Sequence, residues 1–431
     1  MSGIINWAAY VPPHRLTAAT LAGKSAKAGD PERAVAWVDE DSITMAVDAA
    51  RLCLAGRVRA KIDLLIFATT THAFAEKQGA ALIASVLGLS PNVRTLDVGH
   101  SLRGGVQALQ AALDSVAAGQ VREALVLIAD CREGAPGSEL ERSGGDAAVG
   151  FLVGKDGPVA TLKASARQSE EIVDVWRRAG DRFTHSWEER FTTQYGYLDP
   201  TVVAGKLLRE KADGADSWRW AVSAPNQRAH GAFAAAMKLK REAMAPAFFG
   251  AIGACGAAHA PLIFAGALDE AKPGDKIVLL AYGDGADALL FEVTGSRHGG
   301  ATLADAIARR IPTKDAATYR RARNLDATEY PAPDDQGISA TVHFRERAED
   351  LRLQGQRCAC GEAQFPKGRV CIRCGKPDRF TPEDFAERGG ALVTFTLDSF
   401  FPSPTPPTAV GIVQIDNGPR IYLQVAELPA K

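Results

Sequence analysis

The sequence predicts an α/β protein of two similar halves, followed by a small all-β module. Three observations carry this. Apolar, β-rich runs bounded by turn residues alternate with Ala-rich helical segments up to about residue 295, the pattern of buried strands joined by helices. "ALVLIADC" followed by "GGDAAVGFLVG" is echoed by "IVLLAYGDG" followed by "GADALLFEVTG", as an internal duplication requires. A cysteine cluster near residue 360 then precedes segments of period two.

Taken in order, the first half carries "DLLIFATTT", "EALVLIADC" and "DAAVGFLVG", and the second "WRWAVSAPN", "DKIVLLAYGDG" and "ADALLFEVTG". Between the first two runs, "LDVGHSLRGGVQAL" (Leu96 to Leu109) reads as a buried strand, a tight turn and a helix start. Residues 296 to 350 are richer in charge, with "PAPDDQG" as a turn-rich break. The expected domains are therefore 1–165, 166–345 including this linker, a cysteine-rich segment at 350–379 and a β module at 380–431. In that module "ALVTFTLDSF", "AVGIVQID" and "RIYLQVAEL" are separated by "FPSPTPPT" and "DNGP", which suggests a small barrel with one apolar face.

Charge and composition exclude several classes. The 431 residues hold 50 Lys and Arg against 51 Asp and Glu, for a net charge of -1, so no global field attracts nucleic acid or an anionic membrane. An anionic ligand must be caught by a local basic patch. The start "MSGIINWAAYVPPHRL" has no basic stretch leading into an apolar one, and no uncharged run approaches the roughly 18 residues of a membrane span. The expectation is a cytoplasmic protein with no membrane or nucleic-acid partner.

Of the seven cysteines, Cys53, Cys131 and Cys255 are scattered. An odd total in a chain without an export signal argues against a disulfide framework. Cys358, Cys360, Cys371 and Cys374 form two pairs separated by a loop. Four thiolates so arranged can close a tetrahedral shell around a structural zinc, with no open position for catalysis. The first pair is Cys-x-Cys rather than Cys-x-x-Cys, which should strain its knuckle.

"WVDEDSITMAVDAA" (Trp37 to Ala50), "ADCREGAPGSELERSGGDAAVGFLVG" (Ala129 to Gly154), "DVWRRAGDRF" (Asp174 to Phe183) and "IGACGAAHAPLIFAGALDEAKPGDKIVLLAYGDGAD" (Ile252 to Asp287) resemble the bacterial and archaeal hydroxymethylglutaryl-CoA synthases, enzymes of the thiolase superfamily. The resemblance spans residues 1 to about 295. It implies a five-layer αβαβα sandwich, a coenzyme A thioester as substrate, and a homodimer joined beside "LDVGHSL" or a pairing with a second thiolase-like subunit. The tail resembles the zinc-ribbon and OB-fold module found beside thiolase-like proteins, a strand or two short of a full barrel.

The resembled chemistry needs a nucleophilic cysteine, a glutamate acid/base, and a histidine and an asparagine that polarise the acyl carbonyl. Those positions fall on Leu102, Thr70, Ser223 and Ala254. All four are lost. Leucine cannot form a thioester, and Ser223 with Ala254 cannot build the same oxyanion hole. Ser101 is one residue off, a turn of about 100° on a helix, and reads as a helix cap rather than a nucleophile.

Other polar groups fall near the expected pocket: His72, His100, Asn226, Cys255, His259, Tyr282 and Asp284. Tyr282 precedes the glycine turn where thiolases keep a second acid/base, and His72 lies two residues past the lost glutamate. Tyr282, His72 and His100 are the candidate catalytic groups, since phenol and imidazole can move a proton without a covalent intermediate; each also reads as a satisfied buried polar residue. Ser101, Leu102, Ser223, Asn226, Arg228, Lys238 and Ala254 are the expected acyl-CoA-binding residues, with Lys240 beside them. Two functions follow. One is an enzyme that makes or cleaves a carbon–carbon bond of a β-hydroxyacyl-CoA by non-covalent aldol chemistry. The other is a non-catalytic subunit of a thiolase or synthase complex.

Overall fold

The computed structural model describes residues 2–297, 300–325, 340–400, 403 and 405–427, so the "PAPDDQG" break lies outside the described residues. Two compact units result, Met1–Ala84 with Leu89–Ala316, and Ser85–Gly88 with Ala317–Lys431.

The first unit contains the apolar runs as strands β1 (Gly3–Tyr10), β2 (Ile62–Ala68), β3 (Arg94–Val98), β4 (Glu123–Asp130) and β5 (Ala147–Gly154), then β6 (Ala160–Ser169), β7 (Arg219–Val222), β8 (Lys276–Tyr282) and β9 (Gly285–Val293). They hydrogen-bond in the order β7-β8-β9-β6-β1-β5-β4-β2-β3. The duplication is visible in the pairing. β2 runs parallel to β4, which is antiparallel to β5, which is antiparallel to β1; β7, β8, β9 and β6 repeat that sequence of directions. β3 extends the first half beside β2, whereas the matching place beside β7 holds only an isolated parallel bridge from Trp220 to Met244.

The halves meet between β5 and β6, ahead of the boundary expected at residue 165. Their sheets are joined into one ladder by two residue pairs, Gly3–Thr161 and Ile4–Ala160. Beyond that seam β1 and β6 diverge, and helices fill the space.

Those helices are α1 (Ser42–Cys53), α2 (Gly104–Ala117), α3 (Asp199–Lys211), α4 (Gln227–Ala236) and α5 (His259–Glu270). Strand periodicity decides which side each covers. Leu64, Ile66, Val126, Ile128, Val149 and Phe151 of the first half share a core with Ile277, Leu279, Leu289 and Phe291 of the second, and α2 and α5 lie within it. Val278, Leu280, Ala288 and Leu290 point the other way, onto Ala204 and Leu208 of α3 and Phe233 of α4. α1 covers the remaining face, against β1, β4 and β5. The result is the expected αβαβα layering. Close approach demands glycine in the middle layer: a Cβ at Gly105 of α2 would lie 2.7 Å from Ile128. Among the described residues, no helix is long and apolar enough to cross a membrane.

In the second unit, β10 (Gln354–Cys358) lies between β11 (Ala363–Gln364) and β12 (Phe380–Asp384). An antiparallel meander follows, β13 (Gly390–Asp398), β14 (Thr408–Ile415) and β15 (Arg420–Gln424). Ala363 and Phe385 pack with Ile415 and Ile421 in one small core. The expected barrel is corrected here: among the described residues the meander is an open three-stranded sheet, too few strands to close, and β13 is exposed along nearly its whole length.

Candidate active site

The candidate site forms where β2, β4, β7 and β8 end and the chain turns. At its base Asp130, the last residue of β4, is fully buried. Its carboxylate accepts five hydrogen bonds: from the hydroxyls of Thr69 (3.0 Å), Thr70 (2.9 Å) and Thr71 (3.3 Å), the Thr70 amide (2.7 Å) and the Ala257 amide (2.7 Å). A buried carboxylate persists only when its lone pairs are occupied in this way. Thr70, expected at the position of the family's glutamate, is thus tied down as a donor to Asp130. Arg177 donates to the Thr70 carbonyl from above, at 3.3 Å.

The turn before α2 carries Leu102. Its side chain packs against the cluster that includes Tyr197, Val222, Ala224 and Tyr282. Ser101 Oγ donates to the Gly283 carbonyl at 3.0 Å, so Ser101 acts neither as a cap nor as a free hydroxyl; the capping position of α2 is Arg103. Gly283, with φ +138°, sits so close that a Cβ there would lie 2.9 Å from the Leu102 amide nitrogen. Arg103 and Asp287, both buried, pair at 3.3 Å and bind the start of α2 to β9.

Tyr282 is buried at the end of β8, and burial raises its phenol pKa. Its ring meets Tyr197 edge-on, with centroids 5.0 Å apart. The Tyr197 hydroxyl is buried with no hydrogen-bond partner. Tyr197 belongs to a π-helical turn, Thr192–Leu198, that leads into α3, a form of helix frequent at functional sites. Nearby, burial raises the carboxyl pKa of Asp174.

His72 is half-buried, and burial lowers its pKa; its ring centroid is 6.3 Å from that of His100, an exposed residue with φ +71°. Ser223 is buried, and its amide donates to the Leu280 carbonyl at 3.1 Å. Asn226 caps α4, its side chain accepting the Ala229 amide at 2.9 Å. Arg228 is exposed on the first turn of that helix. Ala254 lies in a bridge to Gly144 and offers no side-chain donor. Cys255 is fully buried, and burial drives its thiol pKa well up. His259 is also buried, bonded to the Ala247 carbonyl at 2.8 Å, and burial lowers its pKa to about 4. Asp284 holds the turn between β8 and β9 at φ +48°.

Lys238 departs from the expected placement. With Lys240 it lines a cleft beside Arg219 and Lys276, where β7 and β8 begin rather than where they end. Sequence reasoning also missed residues the structure brings in: Asp130 with its threonines, Arg103, Asp174, Arg177 and Tyr197. The one local signal for the first was a threonine run after an apolar strand.

In the second unit, Cys358 and Cys374 place their sulfurs 3.7 Å apart, and Cys360 and Cys371 theirs 3.6 Å apart, with all four within 4.8 Å of one another. Zinc–sulfur bonds of about 2.3 Å in a tetrahedron require sulfurs about 3.8 Å apart. The donor set therefore fits zinc, and the short first knuckle does not prevent convergence. Backbone amides of Cys374 and Arg373 favour the Cys371 thiolate, lowering its pKa to about 7.

No protein-family model matches the chain. It is 32% identical over 345 residues to a hydroxymethylglutaryl-CoA synthase of Pyrobaculum arsenaticum, covering 75% of this chain and 98% of that one. A hydroxymethylglutaryl-CoA synthase of Methanosphaera stadtmanae is 30% identical, over 74% of this chain and 98% of the relative. Among solved structures, an HMG-CoA synthase complexed with CoA superposes with a TM-score of 0.67 at 20% identity, over 98% of this chain and 100% of that one. MvaS in complex with 3-hydroxy-3-methylglutaryl coenzyme A gives 0.64 at 24% identity, over 77% and 94%. These two structural likenesses establish the fold.

Proposed function

The chain belongs to the hydroxymethylglutaryl-CoA synthase family, with the thiolase fold, and from that premise we propose that it binds an acyl-CoA and makes or cleaves a carbon–carbon bond of a β-hydroxyacyl-CoA without a covalent enzyme intermediate. One observation carries the reading: at the nucleophile position Leu102 packs into the cluster that contains the Tyr282 and Tyr197 phenols.

Aldol cleavage needs a base for the β-hydroxyl proton. The Cα–Cβ bond then breaks, its electron pair passes into the thioester enolate, a carbonyl compound leaves, and the enolate takes a proton at Cα. Burial keeps His72 neutral, hence able to accept a proton, and keeps Tyr282 a neutral phenol, hence able to donate one. His100 stands beside His72 as a second imidazole. Ser223, Asn226, Ala254 and Arg228 form the acyl-CoA wall in this reading, and Arg228 remains free to meet a phosphate. The four clustered cysteines hold one structural zinc, which supplies folding energy to the second unit. Dimerisation through β3, the edge strand of the ladder, completes the assembly.

The second reading, a non-catalytic partner of another thiolase-like chain, draws on the same site. Asp130 and Ser101 are committed to structural hydrogen bonds, and the stretch Leu96 to Leu109 holds no cysteine. Rapid mixing with excess β-hydroxyacyl-CoA, followed from the pre-steady state, separates the two. The enzyme reading expects a shortened acyl-CoA and a carbonyl product without a burst, and no added mass on residues 96–109. An acyl adduct there overturns the non-covalent mechanism. Inactivity toward every β-hydroxyacyl-CoA, with a cysteine-bearing thiolase-like chain co-purifying, decides for the second reading.

A further inference from the structure

At the opposite end of β7 and β8 from Ser223 and Tyr282 lies a cleft of about 620 Å³. The seven residues of β8 separate the two ends by about 20 Å. Five cations line the cleft, Arg209, Arg219, Lys238, Lys240 and Lys276, against two acids, Glu242 and Asp275. Even with Glu270 counted among the acids, the cations are in excess by two. Arg219 pairs outward with Glu270 at 2.6 Å. Arg209 and Lys276 donate only to the neutral carbonyls of Met237 (3.1 Å) and Asp213 (3.2 Å). Lys238 and Lys240 make no ion pair among the described residues.

The lining supplies an independent observation. Trp218 lines the cleft, is 1% exposed, and its indole Nε1 is buried with no acceptor. A buried N–H left unpaired is costly, and an acceptor brought by a ligand would relieve that cost. Cations along the lining and a lone donor among them match a ligand with several anionic oxygens.

We infer that this cleft is a second ligand site, for a small molecule bearing a diphosphate or adjacent phosphates, separate from the acyl pocket. It is independent of the chemistry proposed for that pocket. Phosphate oxygens satisfy both features: they accept charge-assisted hydrogen bonds from Lys and Arg, and their multiple lone pairs leave one for Trp218.

The probe is inorganic pyrophosphate, titrated calorimetrically into the full-length protein while tryptophan emission is followed. The expected result is saturable binding near one equivalent, weakened by added salt. The Lys238→Ala/Lys240→Ala variant should bind about tenfold more weakly, the scale of losing charge-assisted hydrogen bonds. Trp218→Phe, checked for folding by circular dichroism, should lose the emission change and bind more weakly. ADP and coenzyme A as parallel titrants show whether a free nucleotide or the cofactor's own diphosphate is the source; for either, sensitivity to Lys238→Ala/Lys240→Ala supports the site. The inference is overturned by absence of binding up to about 1 mM pyrophosphate, or by binding that the double lysine variant leaves unchanged.

Discussion

Ser101 Oγ donates to the carbonyl of Gly283, 3.0 Å away and 182 residues along the chain. The bond ties the turn before α2, in the first half, to the glycine turn of the second. It accounts for the serine without chemistry. Ser101→Ala should therefore lower stability by about 1 kcal/mol, the net worth of one partly buried hydrogen bond, and leave turnover intact. Thermal unfolding alongside a kinetic assay checks this, and a variant that folds normally but loses turnover would return Ser101 to the chemistry.

The two edge-on phenols should part ways on mutation. Tyr282→Phe should reduce kcat by about 100-fold or more, the scale of a lost general acid. Tyr197→Phe removes a buried hydroxyl that has no partner, so it should hold or raise the melting temperature, because an unsatisfied buried group costs about 1–3 kcal/mol. A melting temperature that falls in Tyr197→Phe would mean that the hydroxyl has a partner after all.

Acid should destabilise the protein early. Burial keeps His14 and His259 neutral down to about pH 4, against an ordinary value of 6.5. Between those values the unfolded chain binds protons that the folded one refuses, so their contribution is complete above pH 6.5 and declines as pH falls toward 4. The slope is about 1.4 kcal/mol per pH unit for each histidine. Urea unfolding from pH 7 to pH 4.5 should show it, and His259→Gln should reduce it by about one proton's share.

Zinc removal has a count attached. A chelator should release one zinc and expose four thiols to a colorimetric reagent, the cluster of Cys358, Cys360, Cys371 and Cys374. Cys53 and Cys255, both fully buried and with raised pKa values, should stay unreactive until the fold melts. Four thiols reactive without any chelator, in protein containing no zinc, would refute the metal site.

The layers were legible in the sequence because they depend on local signals: strand periodicity and the glycine turns around "DGAD" and "SGGDAA" repeat in both halves. The site was legible only in its losses. Leu102 stands out by itself in a stretch that resembles a nucleophile turn, but Asp130 becomes meaningful only beside Thr70 and Ala257, 60 and 127 residues distant. Lys238 misled because a basic helix face gives no hint of which end of the sheet it reaches. α4 ends at Ala236, and Lys238 follows with φ +54°, which turns the chain toward the cleft. Barrel closure stayed open in the sequence for a simpler reason, since periodicity identifies strands without saying how many will close.

The lone bridge at Trp220 and Met244 sets a limit on assembly. Among the described residues, only β3 ends the nine-stranded ladder with no further strand beside it; at the other end the Met244 segment lies against β7, and the Ala245 amide already bonds the Trp220 carbonyl at 2.9 Å. A sheet with two open edges can polymerise through them, head to tail. With one, pairing through this ladder has to be the same surface against itself about a two-fold axis, and the union of two copies leaves nothing for a third to add to.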